Sequence, residues 1–158
     1  MRLGIISDSH DNIWNLDKAL SRIDADLLIH CGDFCAPFIM DHLAGFKGEV
    51  HCVFGNIDDR KKKKKKAEEH DNITLHGDIA ELDIDDKKIA IVHNHLVAEA
   101  LASTGKYDIV FFGHTHQKKD EMIQETRLIN PGEIMGRLGK PGYAIYDTSK
   151  DELSFIDL

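Results

Sequence analysis

The chain is 158 residues long, with 42% hydrophobic and 30% charged residues and a formal charge of −8 at pH 7. That length suits one domain, expected to span 1–158, with a core large enough to need no disulfide or structural metal. The acidic balance argues against a stable nucleic-acid complex or an anionic membrane surface, all the more because Lys61 to Lys66 concentrate six of the twenty basic residues in one run.

Leu3 to Ser7 reads as a first strand, and the apolar period Ile13, Leu16, Leu20, Ile23 as a helix capped by Asp11 or Asn12. Leu27 to His30 is the second strand. Pro37 to Phe46 is a short helix with Pro at its start, and Val50 to Phe54 the third strand. Residues 60–70 are charged and free of Gly and Pro, which predicts a solvated helix. Strands follow at Ile79 to Ile84 and Lys88 to His93, a helix at about 96–103, and a strand at Ile109 to Phe112. Beyond Gly113 only short strands remain, at Leu128-Ile129, Tyr143 to Asp147 and Leu153 to Ile156. Alternating β and α units followed by hairpins predict an α/β core that ends in antiparallel strands.

Cys31, Cys35 and Cys52 are too few and too odd in number for a disulfide framework, and read as reduced thiols of a cytoplasmic protein. Met1 to Ile6 runs straight into an acidic motif, so no signal peptide is expected there. No apolar stretch approaches the ~20 residues needed to span a bilayer.

Five short motifs carry the chemistry: Asp8-Ser9-His10, Gly32-Asp33, Gly55-Asn56, His93-Asn94-His95 and Gly113-His114-Thr115-His116. Each follows an apolar, strand-like run, and ligands of open α/β sheets gather at the carboxyl ends of strands. Together they supply two carboxylates, one amide and at least four imidazoles, enough to hold two divalent metals. Asp8 and His10, and likewise His114 and His116, are two residues apart, so the strand pleat would aim each pair at one point. Gly32, Gly55 and Gly113 would let the chain turn sharply and approach closely. Mixed nitrogen and oxygen donors suit Mn, Fe, Zn or Ni better than Ca or Mg, and the lack of thiolates argues against a closed zinc site.

In this order and spacing the motifs resemble those of the calcineurin-like metallophosphoesterases, in particular their small archaeal and bacterial phosphodiesterase branch. The resemblance runs from Asp8 to about Gly132, through the turn Asn130-Pro131-Gly132. It implies a four-layer α/β/β/α sandwich with two stacked mixed β-sheets flanked by helices and a two-metal site at one rim. It also implies that Asp8, His10 and His116 hold one metal, Asn56, His93 and His114 the other, and Asp33 bridges them. The cofactors would be two divalent transition metal ions, Mn first, with Ni, Fe or Zn as alternatives. The reaction would be attack of a metal-bridging hydroxide on a small phosphate ester, such as a nucleotide diester.

Three positions depart from the family pattern. Asn94 replaces the middle glycine of the His-Gly-His motif, and Asn tolerates a positive φ if the turn needs one. Glu133 replaces the Ser of the Asn-Pro-Gly-Ser turn and is expected to add negative charge near the rim. Ile57 stands where some branches carry a general-acid His directly after Gly-Asn, so leaving-group protonation falls to His95 or water, which favours diesters or good leaving groups. His95 is the one catalytic candidate. His30 is expected in the core or behind a ligand, and His42, His51, His70 and His76 on the surface. Cys31 and Cys35 read as buried filler, and Asp58 as a loop cap that could also orient a ligand. The lysine run reads as a solvated face, with a basic lip for phosphate esters as the alternative. Against the phosphodiesterase reading stand a phosphomonoesterase and a non-catalytic protein-interaction scaffold on the same fold. The scaffold is disfavoured because such proteins lose metal ligands and this chain keeps all seven.

Overall fold

The structure is a computed structural model that describes residues 1–158. The first half alternates β1 (Arg2–Ile6), α1 (Ile13–Arg22), β2 (Leu27–His30), α2 (Ile39–Leu43), β3 (Glu49–Cys52), α3 (Arg60–Ala67) and β4 (Ile73–Leu75). The second half runs β5 (Ile79–Ile84), β6 (Lys87–Val92), α4 (His95–Ala102), β7 (Ile109–Phe111), β8 (Lys118–Ile123), β9 (Thr126–Pro131), β10 (Gly142–Asp147) and β11 (Glu152–Asp157).

These strands form two mixed sheets, one ordered β11-β10-β1-β2-β3-β4 and the other β5-β6-β7-β9-β8. The pleat explains how they stack. In β1, Leu3 and Ile5 join a core between the sheets, whereas Ile6 joins the core under α1, α2 and α3. In β6, Ile89 and Ile91 face the same inter-sheet core while Ala90 and Val92 pack under α4. Strands covered on both faces need unbroken apolar runs, which is why β1, β2 and β7 read as continuous hydrophobic stretches. The result is the expected four-layer α/β/β/α sandwich.

The sequence did not yield β4 or β8. β4 is a three-residue edge strand, and β8, Lys-Lys-Asp-Glu-Met-Ile, closes the other sheet with no buried side chain. A charged edge of this kind is how sheets resist further pairing, and it leaves no apolar pattern to read. The charged helix expected at 60–70 is α3, but it is not wholly solvated: Lys63 and Ala67 are buried. No helix is long and apolar enough to cross a membrane.

The parallel pairs β1/β2/β3 and β6/β7/β9 bring the carboxyl ends of their strands to one rim. All five motifs leave the sheets there.

Candidate metal centre

The structure brings all seven expected donors together. On one side Asp8 Oδ1 lies 3.8 Å from His10 Nε2 and 3.4 Å from His116 Nε2. On the other, Asn56 Oδ1 lies 3.0 Å from His93 Nε2 and 2.9 Å from His114 Nδ1, with the two ring nitrogens 3.3 Å apart. Asp33 Oδ2 sits between the groups, 3.6 Å from His10 Nε2 and 3.3 Å from His93 Nε2.

The expected reason for this convergence is corrected by the backbone. β1 ends at Ile6 and β7 at Phe111, so neither His10 nor His116 is aimed by a strand pleat. Instead Asp8, His10, Asp33, His114 and His116 all take positive φ, between 42° and 69°. For non-glycine residues such turns cost on the order of 1–3 kcal/mol each and persist only where the surroundings enforce them. Two glycines do the enforcing by close approach. A Cβ on Gly55 would stand 1.9 Å from Asp33 Oδ1, and one on Gly113 would stand 2.0 Å from Ser7 Oγ. Only Gly32, at φ +98°, serves the sharp turn that was expected of all three.

Each imidazole on the buried side is held from behind. His93 Nδ1 donates to the Cys31 carbonyl at 2.8 Å, and His116 Nδ1 donates to Glu133 Oε2 at 2.6 Å. His10 Nδ1 contacts Cys35 Sγ at 3.6 Å. With Nδ1 occupied, the Nε2 lone pairs of all three face the centre, the arrangement that orients metal-binding imidazoles. Cys31 is buried filler as expected, but Cys35 is half-exposed against His10, and burial pushes its thiol up to about 11.

Glu133 does bring its negative charge beside the rim, against His116, but from within the protein rather than at the surface. Its carboxylate is buried, and besides His116 it accepts the Leu138 and Gly139 amides at 2.6 and 2.7 Å. Burial alone would raise its pKa; the His116 hydrogen bond and these amides hold it below the usual range. Asp58 is a loop cap, as expected. Its buried carboxylate accepts the amides of Asp33, Phe34, Cys35 and Gly55 at 2.7–3.2 Å, fixing two of the five motifs. Its counter-ion is Lys63 Nζ, 2.8 Å away and also bonded to the Cys35 carbonyl. The sequence could not single out Lys63 among six identical neighbours.

His30 is fully buried and accepts the Gly32 amide at Nδ1, which leaves Nε2–H to donate to Ser9 Oγ at 3.1 Å. Burial drives its pKa down to about 3, so it ties the Asp8 and Asp33 loops together as a neutral ring. His42, His51 and His70 are half-buried, His76 is exposed, and all four lie outside the centre, with His42 on Asp17, His70 on Asp41, and His51 on His76. Asn94 does not use a positive φ. At φ −75° it caps α4, accepting the Leu96 and Val97 amides. His95, the first residue of that helix, lies parallel to His114 with ring centroids 5.5 Å apart. Its Nδ1 is buried without a partner.

The electrostatics fit cation binding. Asp33 is held below the carboxylate range, because the hydrogen bond and charge of His93, the Ile57 amide and His10 together outweigh its burial. The His93 pKa is raised, its burial being outweighed by Asp33, Asp8 and the Cys31 carbonyl. His114, more open, is shifted down by burial and by its neighbours His93 and His95. Asp8 Oδ1 and His10 Nε2 are buried yet have no hydrogen-bond partner in the protein. Buried polar atoms are seldom left so. A divalent cation among these donors would satisfy both, and the nitrogen and oxygen set suits a first-row transition metal.

Comparison with known proteins agrees. The family model described as the calcineurin-like phosphoesterase superfamily domain matches residues 1–151. A phosphodiesterase of Methanocaldococcus jannaschii is 35% identical over 100% of this chain and 99% of its own. A probable metallophosphoesterase of Bacillus subtilis is 30% identical, covering 85% of this chain and 75% of its own. Among solved structures, one described as a novel archaeal phosphodiesterase superposes with a TM-score of 0.92 at 34% identity, over 100% of both chains. Vps29 from Chaetomium thermophilum shares the fold at a TM-score of 0.72 and 13% identity, over 100% of this chain and 95% of its own. With the five motifs folded into one rim and the domain matched almost end to end, this chain belongs to the calcineurin-like phosphoesterase superfamily, whose members work with divalent metal ions.

Proposed function

We propose that the chain is a metal-dependent phosphodiesterase. In this reading Asp8, His10 and His116 hold one divalent cation, Asn56, His93 and His114 a second, and Asp33 bridges the two. The observation that carries it is the position of Asp33 Oδ2, within 3.6 Å of a ring nitrogen from each group. Its 35% identical relative is named a phosphodiesterase, which supports a phosphate-ester substrate, and we extend this to a nucleotide diester. Mn is our choice of metal, ahead of Ni, Fe and Zn, since the set includes three oxygen donors, two of them carboxylates, and no thiolate. The unpaired thiols fit a reducing compartment, and we place the protein in the cytoplasm. Both sheets contribute donors, so we treat residues 1–158 as one domain.

Bound there, two divalent ions supply a nucleophile at neutral pH and neutralise the charge that develops on the phosphoryl oxygens. The protein's part is to fix the donors. Glu133, the Cys31 carbonyl and Cys35 set the ring orientations of His116, His93 and His10, and the Asp58–Lys63 pair sets the Asp33 loop against the Asn56 loop. Ile57, 45% exposed beside Asn56, offers no proton, which favours a diester or a good leaving group over an ordinary monoester. We assign His95, stacked on His114, to contact with the substrate on that side.

The test is turnover of a chromogenic diester and the matching monoester by Mn-loaded protein, with metal content measured in parallel. Diester hydrolysis is expected, with Asp33→Ala lowering kcat/KM on the order of 10³-fold and retaining fewer than two metals. Wild-type rates in Asp33→Ala and His114→Ala would sink the two-metal reading. A protein inert with every transition metal would favour the interaction scaffold.

A further inference from the structure

Two residues of the metal centre, Asn56 and His93, also line a separate cleft of about 360 Å³, a size that accommodates a small organic ligand. Four apolar side chains line it, Phe54 and Val92 buried and Ile79 and Val97 about 40% exposed, alongside the polar Asn56, Arg60, Asp78, His93 and Asn94. The flanking pair comes from separate elements, Ile79 opening β5 and Val97 lying in the first turn of α4. Each keeps about 40% of its surface open to solvent.

Two of the polar lining residues, Arg60 and Asp78, form an ion pair. The Arg60 guanidinium lies over the Phe54 ring, 5.2 Å from its centroid, and donates from Nη1 to Asp78 Oδ2 at 2.9 Å and from Nη2 to Asp78 Oδ1. Paired by two bonds to one carboxylate, the guanidinium is a planar group beside an aromatic ring. Such planes stack on other planar π-systems.

Resting on the phosphodiesterase reading above, we propose that this cleft is the subsite for one ester substituent of the substrate. The substituent is a planar aromatic group, of the class of a nucleobase or aryl ring. The phosphoryl group, lying at Asn56 and His93, places its substituent directly at the mouth of the cleft. The apolar flanks then take up the ring's hydrophobic area, and the Arg60–Phe54 plane selects flat groups over alkyl chains. An alkyl ester of the same charge would reach the metals but leave the flanks wet.

The test compares binding of phenylphosphonate and methylphosphonate to the Mn-loaded protein by calorimetry. These ligands share the phosphoryl anchor and are not hydrolysed. Phenylphosphonate is expected to bind about tenfold more tightly in the wild type, the discrimination a small apolar pocket supplies. That preference should disappear in the double variant Ile79→Asn/Val97→Asn, whose sites are exposed enough for the fold to tolerate. Met122→Ser removes a still more exposed apolar side chain on β8, outside the cleft, and should retain it. Equal affinities in the wild type, or a preference that survives the double variant, would overturn the subsite while leaving diester hydrolysis intact. Loss of diester hydrolysis with both metals bound would instead overturn the reading on which the subsite rests.

Discussion

The two halves of the centre are built differently. Around Asp8, His10 and His116 every donor is at most 17% exposed, and His116 is backed by a buried carboxylate. Around Asn56, His93 and His114 the backing is neutral: a peptide carbonyl behind His93 and a stacked ring beside His114, while Asn56 is exposed. A carboxylate behind an imidazole raises the basicity of its other nitrogen. On the proposed two-metal reading, the first half is built to grip a cation and the second to present one to substrate beside the cleft.

Four measurements break or sharpen that contrast. Lys63→Met acts on both halves, since it leaves Asp58 charged, buried and without its counter-ion under the loops of Asp33 and Asn56. Removing one partner of such a pair costs about 3–5 kcal/mol, so a large loss of denaturation midpoint is expected, and a midpoint unmoved from wild type would refute the anchoring role. Glu133→Gln keeps an acceptor oxygen near His116 but removes the charge. Affinity for the first half's metal should fall about 10–100-fold with the other nearly unchanged, read as two resolved steps in a metal titration. A uniform weakening of both steps would erase the distinction between the halves.

The third measurement concerns His30, which binds the Asp8 loop to the Asp33 loop. Its folded pKa of about 3 lies below the ordinary imidazole value of 6.5, so the unfolded chain takes up a proton there that the folded chain refuses. Stability from this group is complete above pH 6.5 and declines as pH falls toward 3. Between pH 7 and pH 5 the loss is about 2 kcal/mol. His30→Gln should flatten that slope in denaturant melts at the two pH values, and an unchanged slope would show that another group carries it. The smallest effect is expected from Lys61, Lys62, Lys64 and Lys65, all exposed on α3. Changing them to Gln should move stability by under about 0.5 kcal/mol and leave the salt dependence of KM as it was. A flattened salt dependence would restore the basic-lip reading.

What the sequence made legible follows the same physics. The seven donors could be read because metal chemistry needs rare residue types within a few positions of one another at strand ends. The groups behind them could not. Glu133 reaches His116 across 17 residues, and nothing in Asn-Pro-Gly-Glu says that its carboxylate turns inward toward two backbone amides. Asn94 was read as a substitute for glycine because its own amide chemistry, capping α4, shows only once the helix is placed. The strands that form the inter-sheet core were legible as the apolar runs of β1, β2 and β6, although that they stack as two sheets came only from the family resemblance. The charged edge strand β8 was invisible because it buries nothing.

The left-handed turns of the five donor residues have one further consequence. A glycine at His10 or His116 would relax the backbone, as would an asparagine to a smaller extent, so the metal-free fold would be more stable with those side chains gone. The fold and its chemistry therefore pull in opposite directions at these positions. Selection for robustness alone would erase the centre, and only the bound cations, by rewarding the strained geometry, reconcile the two.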